Sequence, residues 1–246
     1  MIHLLKCEFR KFRNTYINSL SLLGMLSPVV LVTVMFLMRK TEWIKSGAFT
    51  FDNFNSQMGI FFVFLVGPII TSFIAVFTVF YEYQQKTLKN LLMYPCSRTL
   101  VILSKVIYVS LYVLLQYVTV ALAGIACGLL LGLKFSPADA LLSSRLIILA
   151  GGITILLVPA MMAVTLVSKS FIPAMVITVC GTISNVLTLN WDKSYLSPWA
   201  IPSDVMLIAK GDLHMNMGYP LASFGIYFTL FLILITVYFR RADQNI

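Results

Sequence analysis

Long apolar runs separated by short polar stretches dominate the chain. Six runs, at about 20–38, 59–81, 106–133, 146–167, 171–189 and 221–239, are each free of Asp, Glu, Lys and Arg. About 20 apolar residues carry a helix across a bilayer, so the pattern predicts an all-α polytopic membrane protein with six transmembrane helices. The third run is long enough to tilt or to project from the bilayer. Pro28, Pro68, Pro159 and Pro173 fall in or at the ends of spans, where neighbouring helices re-satisfy the broken backbone bonds. The first run ends "FLMRK" with no small-residue cleavage site, and so reads as a retained span. No internal repeat stands out to support an inverted-repeat carrier.

Two polar stretches have patterns of their own. Ile2, Leu5, Phe9, Phe12 and Tyr16 recur at steps of three and four, with Lys6, Arg10 and Arg13 on the adjoining face. Residues 1–18 therefore read as an amphipathic helix lying in the membrane interface. The stretch "YEYQQKTLKNLLMYPCSR" (81–98) follows the second run. At the helical period Tyr81, Leu88, Leu91 and Leu92 share one face, and Glu82, Lys86 and Lys89 share another. Glu82 stands four residues before Lys86, the favourable order for a helical ion pair. Pro95 ends that helix. The pattern describes a short amphipathic helix under the membrane, resting on headgroups or docking a cytoplasmic partner.

Composition narrows the class. Only 11% of the 246 residues are charged and 59% are hydrophobic, whereas soluble domains carry about 25% charged residues. The net charge of +9 fits basic residues gathered at headgroups and cytoplasmic loops rather than a nucleic-acid partner. With both termini inside, the inner segments hold Lys6, Arg10, Lys11, Arg13, Lys86, Lys89, Arg98, Lys105, Lys169, Arg240 and Arg241. The outer segments hold Arg39, Lys40, Lys45, Lys134, Arg145, Lys193 and Lys210. The excess predicts N-in/C-in topology with 81–98 cytoplasmic.

Cys7, Cys96, Cys127 and Cys180 are scattered without metal-ligand spacing, and His214 has no ligand partner near it. No carboxylate lies mid-span, which argues against a proton- or sodium-coupled carrier. No nucleophile, base and acid gather in the spans, which argues against a membrane hydrolase. Gln116 and Asn185 are the larger polar groups inside spans; they bond across helices or line a substrate surface. The outer segment 190–220, with Trp191, Tyr195, Trp199 and Tyr219, reads as an aromatic belt or as short re-entrant or interfacial helices.

The basic amphipathic start and "FYEYQQKTLKNLLMYPCSRTLVILSK" (80–105) resemble the type-two ABC permease family. Within it they are most similar to the six-span permeases of bacitracin and lantibiotic self-protection (immunity) exporters. The matching positions are Glu82, Thr87-Leu88-Lys89, Leu91-Leu92, Pro95, Ser97-Arg98 and Lys105; Lys86 stands where many relatives have Gly. The resemblance implies one permease domain over 1–246, multi-pass in a bacterial cell membrane. It implies a separate soluble ATPase subunit that holds ATP and Mg, engaged by a coupling segment at 82–98. The contact residues would be Glu82, Lys86, Thr87, Leu88, Lys89, Leu91, Leu92, Pro95 and Arg98. An interfacial helix with Lys6, Phe9, Arg10, Phe12 and Arg13 would flank them. An amphipathic peptide or lipid-like substrate would pass Gln116, Asn185, Trp191, Tyr195 and Trp199.

The chain has no G-x-x-x-x-G-K-[ST] phosphate loop, so no catalytic, cofactor or metal site is expected in it, and a split transporter is. Because ATP is sandwiched by two ATPase subunits, a second permease copy or a sister permease is expected as well. The competing classes are a secondary carrier or channel and a non-transporting accessory protein.

Overall fold

In lipid every backbone N–H and C=O must be bonded within the protein, which helices do almost entirely along their own length, and every regular element among the described residues is helical. The structure, a computed structural model, describes residues 2–13, 15–45, 47, 49–85, 98–133, 137–188 and 191–241. Helix α1 (Ile2–Arg13) is followed by α2 (Tyr16–Met38), α3 (Lys40–Lys45) and α4 (Phe51–Phe61). A π-helical turn, Phe62–Val66, leads directly into α5 (Gly67–Gln84). Next come α6 (Arg98–Leu130), α7 (Pro137–Thr154), α8 (Leu157–Ser168) and α9 (Phe171–Leu187). A 3-10 turn at Ser194–Leu196, α10 (Ile201–Lys210) and α11 (Gly218–Arg241) are the last elements among the described residues.

Five stretches are long and apolar enough to cross a membrane: Tyr16–Met38, Phe51–Gln84, Thr99–Leu130, Ala140–Ser168 and Gly218–Tyr238. The expected fifth span is α9, whose 17 residues rise about 26 Å, somewhat less than the ~30 Å of hydrocarbon. It is delimited by Ser170 in extended conformation and by Thr188, outside the helical region. Other helices overrun their apolar runs. Phe51–Gln84 is 34 residues long, about 51 Å, so Asp52 and Glu82 at its two ends reach beyond a ~30 Å core.

Three local features depart from the sequence pattern. The first is at the N-terminus, where α1 ends at Arg13 and Thr15 is extended (φ −92°, ψ 135°). Tyr16 opens α2 and is 91% exposed, so it does not continue the apolar face of α1. The corner is held by Asn18, whose Nδ2 donates to the Phe12 carbonyl at 2.6 Å.

The second is the π turn. Pro68 has no N–H, so the carbonyl four residues back, that of Phe64, loses its helical donor. The Gly67 N–H bonds the Phe62 carbonyl, a five-residue step, and Asn185 Nδ2 donates to the freed Phe64 carbonyl at 3.3 Å. The third follows the same logic at the α7–α8 junction. Pro159 cannot serve the Ile155 carbonyl, which instead accepts the Val158 N–H at 3.0 Å in a tighter turn.

The core is pinned by Tyr117, which is fully buried. A Cβ at Gly67 would lie 2.4 Å from its hydroxyl oxygen, and one at Gly151 would lie 2.5 Å from its ring. Only glycine at both positions lets α5 and α7 close on this ring, whose hydroxyl donates to Thr154 Oγ1 at 3.0 Å. One end of the bundle gathers α1, the end of α5, the start of α6 and the ends of α8 and α11. There Tyr83 and Tyr238 both reach the Leu166 carbonyl at 3.4 Å. The opposite end carries α3, the start of α4 and α10.

Candidate functional site

At the first of these ends four charged side chains from three helices meet. Lys105, two turns into α6, places Nζ 2.6 Å from Glu82 Oε1 on α5 and 2.6 Å from Glu8 Oε1 on α1. Glu82 Oε1 also accepts from Lys11 Nζ at 2.8 Å. The Lys105 and Glu82 side chains are each only 3% exposed. Two ammoniums balance two carboxylates, so the buried cluster is neutral as a whole. That balance is what makes burial tolerable, because an unpaired charge in this setting costs several kcal/mol. Lys11 is the half-exposed member, and its Nζ also sits 5.2 Å from the Tyr81 ring centroid, within cation–π range. Around the cluster Phe12 stacks on Tyr108 at 5.5 Å and meets Phe77 edge-on at 6.3 Å.

Lys105 and Glu82 were both marked by the sequence motif, and the structure gives Glu82 an ion pair with Lys105 in place of the expected helical pair with Lys86 as its described contact. Glu82 belongs to the last turn of α5, not to a separate amphipathic helix, and its partners are Lys105 and Lys11. Gln85 caps α5. The other coupling candidates, Lys86, Thr87, Leu88, Lys89, Leu91, Leu92 and Pro95, lie outside the described residues. Arg98 opens α6 on the far side of that segment. Of the interfacial-helix residues, Phe12 is buried while Lys6, Phe9 and Arg10 are exposed. Arg13 is the last residue of α1.

Glu8 and Lys11 were not singled out from sequence. The available signal was an acid on the wrong side: at the helical period Glu8 adjoins Leu5 and Phe12 on the apolar face of α1. An acid there needs a buried cation, and Lys105 provides it.

A second polar cluster lies toward the opposite end. Asn185, 1% exposed, spends its amide on the Phe64 carbonyl and accepts from Ser203 Oγ at 2.9 Å. Next to it on α10, Asp204 accepts from Ser194 Oγ at 2.7 Å. Burial pushes the Asp204 carboxyl up from 3.8 to about 6, against the smaller opposing effect of the Ser194 hydrogen bond. Trp199 lies flat on α9, where a Cβ at Gly181 would fall 2.3 Å from its ring. Trp191 is half exposed, and Tyr195 stacks on Tyr219 at 5.5 Å.

Gln116 is elsewhere. It donates to Ser21 Oγ at 2.8 Å between α6 and α2, and its Oε1 is buried without a partner. The five candidate path residues thus divide between two regions.

The sequence matches the family model described as ABC-2 family transporter protein over residues 4–185, which takes in the charge network and both flanks of 86–97. The chain is 28% identical over 196 residues to the bacitracin transport permease protein BCRB of Bacillus licheniformis, covering 78% of this chain and 93% of that protein. With several helices long and apolar enough to cross a membrane, it is a multi-pass protein of the bacterial membrane, related to a bacitracin transport permease. The chain belongs to the ABC-2 family of transporter proteins, as a permease subunit.

Proposed function

We propose that this permease is the membrane half of an ATP-driven exporter that moves an amphipathic peptide antibiotic, of the bacitracin or lantibiotic kind, out of the membrane. ATP and Mg are held by a separate soluble ATPase subunit. The segment 82–98 is the mechanical link to it, with Lys86, Thr87, Leu88, Lys89, Leu91 and Leu92 forming the docking helix and Pro95 its stop. The single observation that supports this most is the charge network. Glu82 at the start of the segment and Lys105 shortly after it are clamped to each other and to α1. A displacement of 86–97 would therefore be delivered to two long helices together. A passive headgroup-resting loop has no use for a buried clamp, which costs desolvation to maintain.

In this reading the network end is cytoplasmic and the chain crosses six times, with α9 as a short fifth crossing. Residues 1–246 form one permease domain, 190–220 caps it outside, and a second permease completes the transporter so that two ATPase subunits can close on ATP. The similarity to the bacitracin transport permease of Bacillus licheniformis supports the cargo class. Trp191, Tyr195 and Trp199 mark the exit side of the path, with Asn185 and Gln116 deeper.

The test is affinity purification of the tagged permease from cells in mild detergent, together with bacitracin susceptibility. The expected result is a near-stoichiometric soluble ATPase in the eluate. Leu88→Pro should remove it and abolish protection at unchanged membrane level. A Leu88→Pro protein that still co-purifies and protects would sink the coupling role. A wild-type chain that comes alone in several detergents would return the carrier and accessory readings.

A further inference from the structure

On the lipid-facing side of the network an open groove runs between the α1–α2 corner and α6. It consists of two cavities, about 480 Å³ and 330 Å³, that share Asn18, Tyr112 and Leu115. Its mouth carries Lys6 and Arg10, one helical turn apart on the exposed side of α1. Neither has an acidic partner among the described residues, since Glu8 is turned inward to Lys105. Like charges at this spacing repel, so an anion bridging them would relieve the strain. The floor is aromatic: Phe9 meets Tyr108 edge-on at 4.9 Å, and Tyr108 stacks on Tyr112 at 6.2 Å. Farther in, the exposed lining is mainly apolar, carried by Leu22, Tyr112 and Leu115, with Ser19, Gln116 and Thr119 set between them. Leu115 is 59% exposed, so the groove is open along its length.

The dimensions match one lipid. From Tyr108 to Thr119 the α6 wall rises about 16 Å, half of a ~30 Å hydrocarbon layer and hence the depth of one leaflet. The groove is basic at the interface, aromatic at the level of the glycerol backbone and mainly apolar, with a few small polar groups, below.

We infer that the groove between α1–α2 and α6 binds one anionic phospholipid of the leaflet that carries α1, its phosphate on Lys6 and Arg10 and an acyl chain along Tyr112, Leu22 and Leu115. Through Phe9 and Tyr108 this lipid abuts the helix that supplies Glu8 to the charge network. The inference rests on the membrane assignment alone and not on ATPase coupling or cargo.

The test is native mass spectrometry of the full-length permease released from detergent containing equal phosphatidylglycerol and phosphatidylcholine. Wild type should retain phosphatidylglycerol roughly thirtyfold better, the scale expected from two basic residues at a membrane surface. Lys6→Gln combined with Arg10→Gln should bring the two lipids to parity, since both side chains are exposed and outside the core. Leu115→Trp should lower retention of both lipids by filling the groove. Equal retention by wild type, or an unchanged preference in the double variant, would overturn the proposal. So would displacement by free glycerol phosphate, which would reduce the site to a headgroup pocket. A change in oligomeric mass with Leu115→Trp at unchanged lipid retention would show that a second copy covers the groove, and would also overturn it.

Discussion

Lys105 has two carboxylates within 2.6 Å and almost no exposure, and that arrangement sets the cost of changing any member. Lys105→Met leaves Glu8 and Glu82 facing each other with only Lys11 nearby. Removing one partner of such a buried pair typically costs about 3–5 kcal/mol. Glu82→Gln should cost a comparable amount. Because both variants break the same contact, the double substitution should destabilise by clearly less than the sum. Thermal unfolding of the four proteins in one detergent reads this directly, and strict additivity would deny the coupling.

Asp204 makes a prediction in pH. Its carboxyl is pushed up to about 6 by burial, so the folded state holds the proton more tightly than the unfolded chain does. The associated stability is present below about pH 4 and is lost as pH rises through about 6. Asp204→Asn, which keeps an acceptor for Ser194, should abolish that slope and raise the unfolding midpoint at pH 7. A variant with an unchanged slope between pH 4.5 and 7 would assign the titration elsewhere. Among these residues Lys105 and Glu82 were legible in the sequence as parts of a motif. Glu8 was hidden because one acid on an apolar helical face looks like noise until its cation is known.

Among the elements, the π turn of Phe62–Val66 is the one whose cause can be tested. Pro68 removes the donor of the Phe64 carbonyl, and Asn185 from α9 replaces it at 3.3 Å. Asn185→Leu should therefore leave that carbonyl bare and cost about 1–3 kcal/mol. Pro68→Ala restores an N–H at the position where a regular helix would use it. The combination Pro68→Ala with Asn185→Leu should recover much of the loss in thermal unfolding. A double variant as unstable as Asn185→Leu alone would show that the bond to Ser203, not the one to Phe64, carries the effect.

Apolar runs signalled where helices pass through lipid but not where they stop, because helices continue as long as backbone bonds are satisfied. Hence α5 extends through Glu82 and Tyr83 to Gln84, and α4 reaches back to Phe51. The break before Tyr16 was equally invisible: the periodicity of Phe9, Phe12 and Tyr16 persists across the corner held by Asn18. Proline gave better warning. Both helical irregularities sit one turn before a proline, at Phe64 and Ile155.

For the molecule as a whole, the all-helical class and the membrane setting followed from hydrophobic pattern alone, since lipid permits few other structures. The crossing count is less sharp. Five stretches meet the length for a membrane span, and α9 at 17 residues meets it only with some thinning of the bilayer or help from flanking residues. Cysteine-accessibility labelling at Lys169 and Trp191 tests this: opposite-side labelling is expected if α9 crosses, and same-side labelling would reduce it to a re-entrant pair with α8. The family could be read from a short motif because that motif is where charge must be exact. The cargo path could not, because Gln116 and Asn185 serve helix packing with the same hydrogen bonds a substrate would use.

The buried clamp also fixes an order of events in the making of the protein. Glu82 and Lys105 are separated by 23 positions, Glu8 and Lys105 by 97. A nascent chain therefore exposes Glu8 long before its cation has been synthesised. The α5 and α6 pair neutralises Glu82 as soon as Lys105 emerges, but α1 must wait at the interface until α6 arrives. A chain truncated before Lys105 leaves both carboxylates with Lys11 alone. Such intermediates should be the species that membrane quality-control proteases recognise, and pulse-chase of truncated chains should place the onset of protection at the arrival of α6.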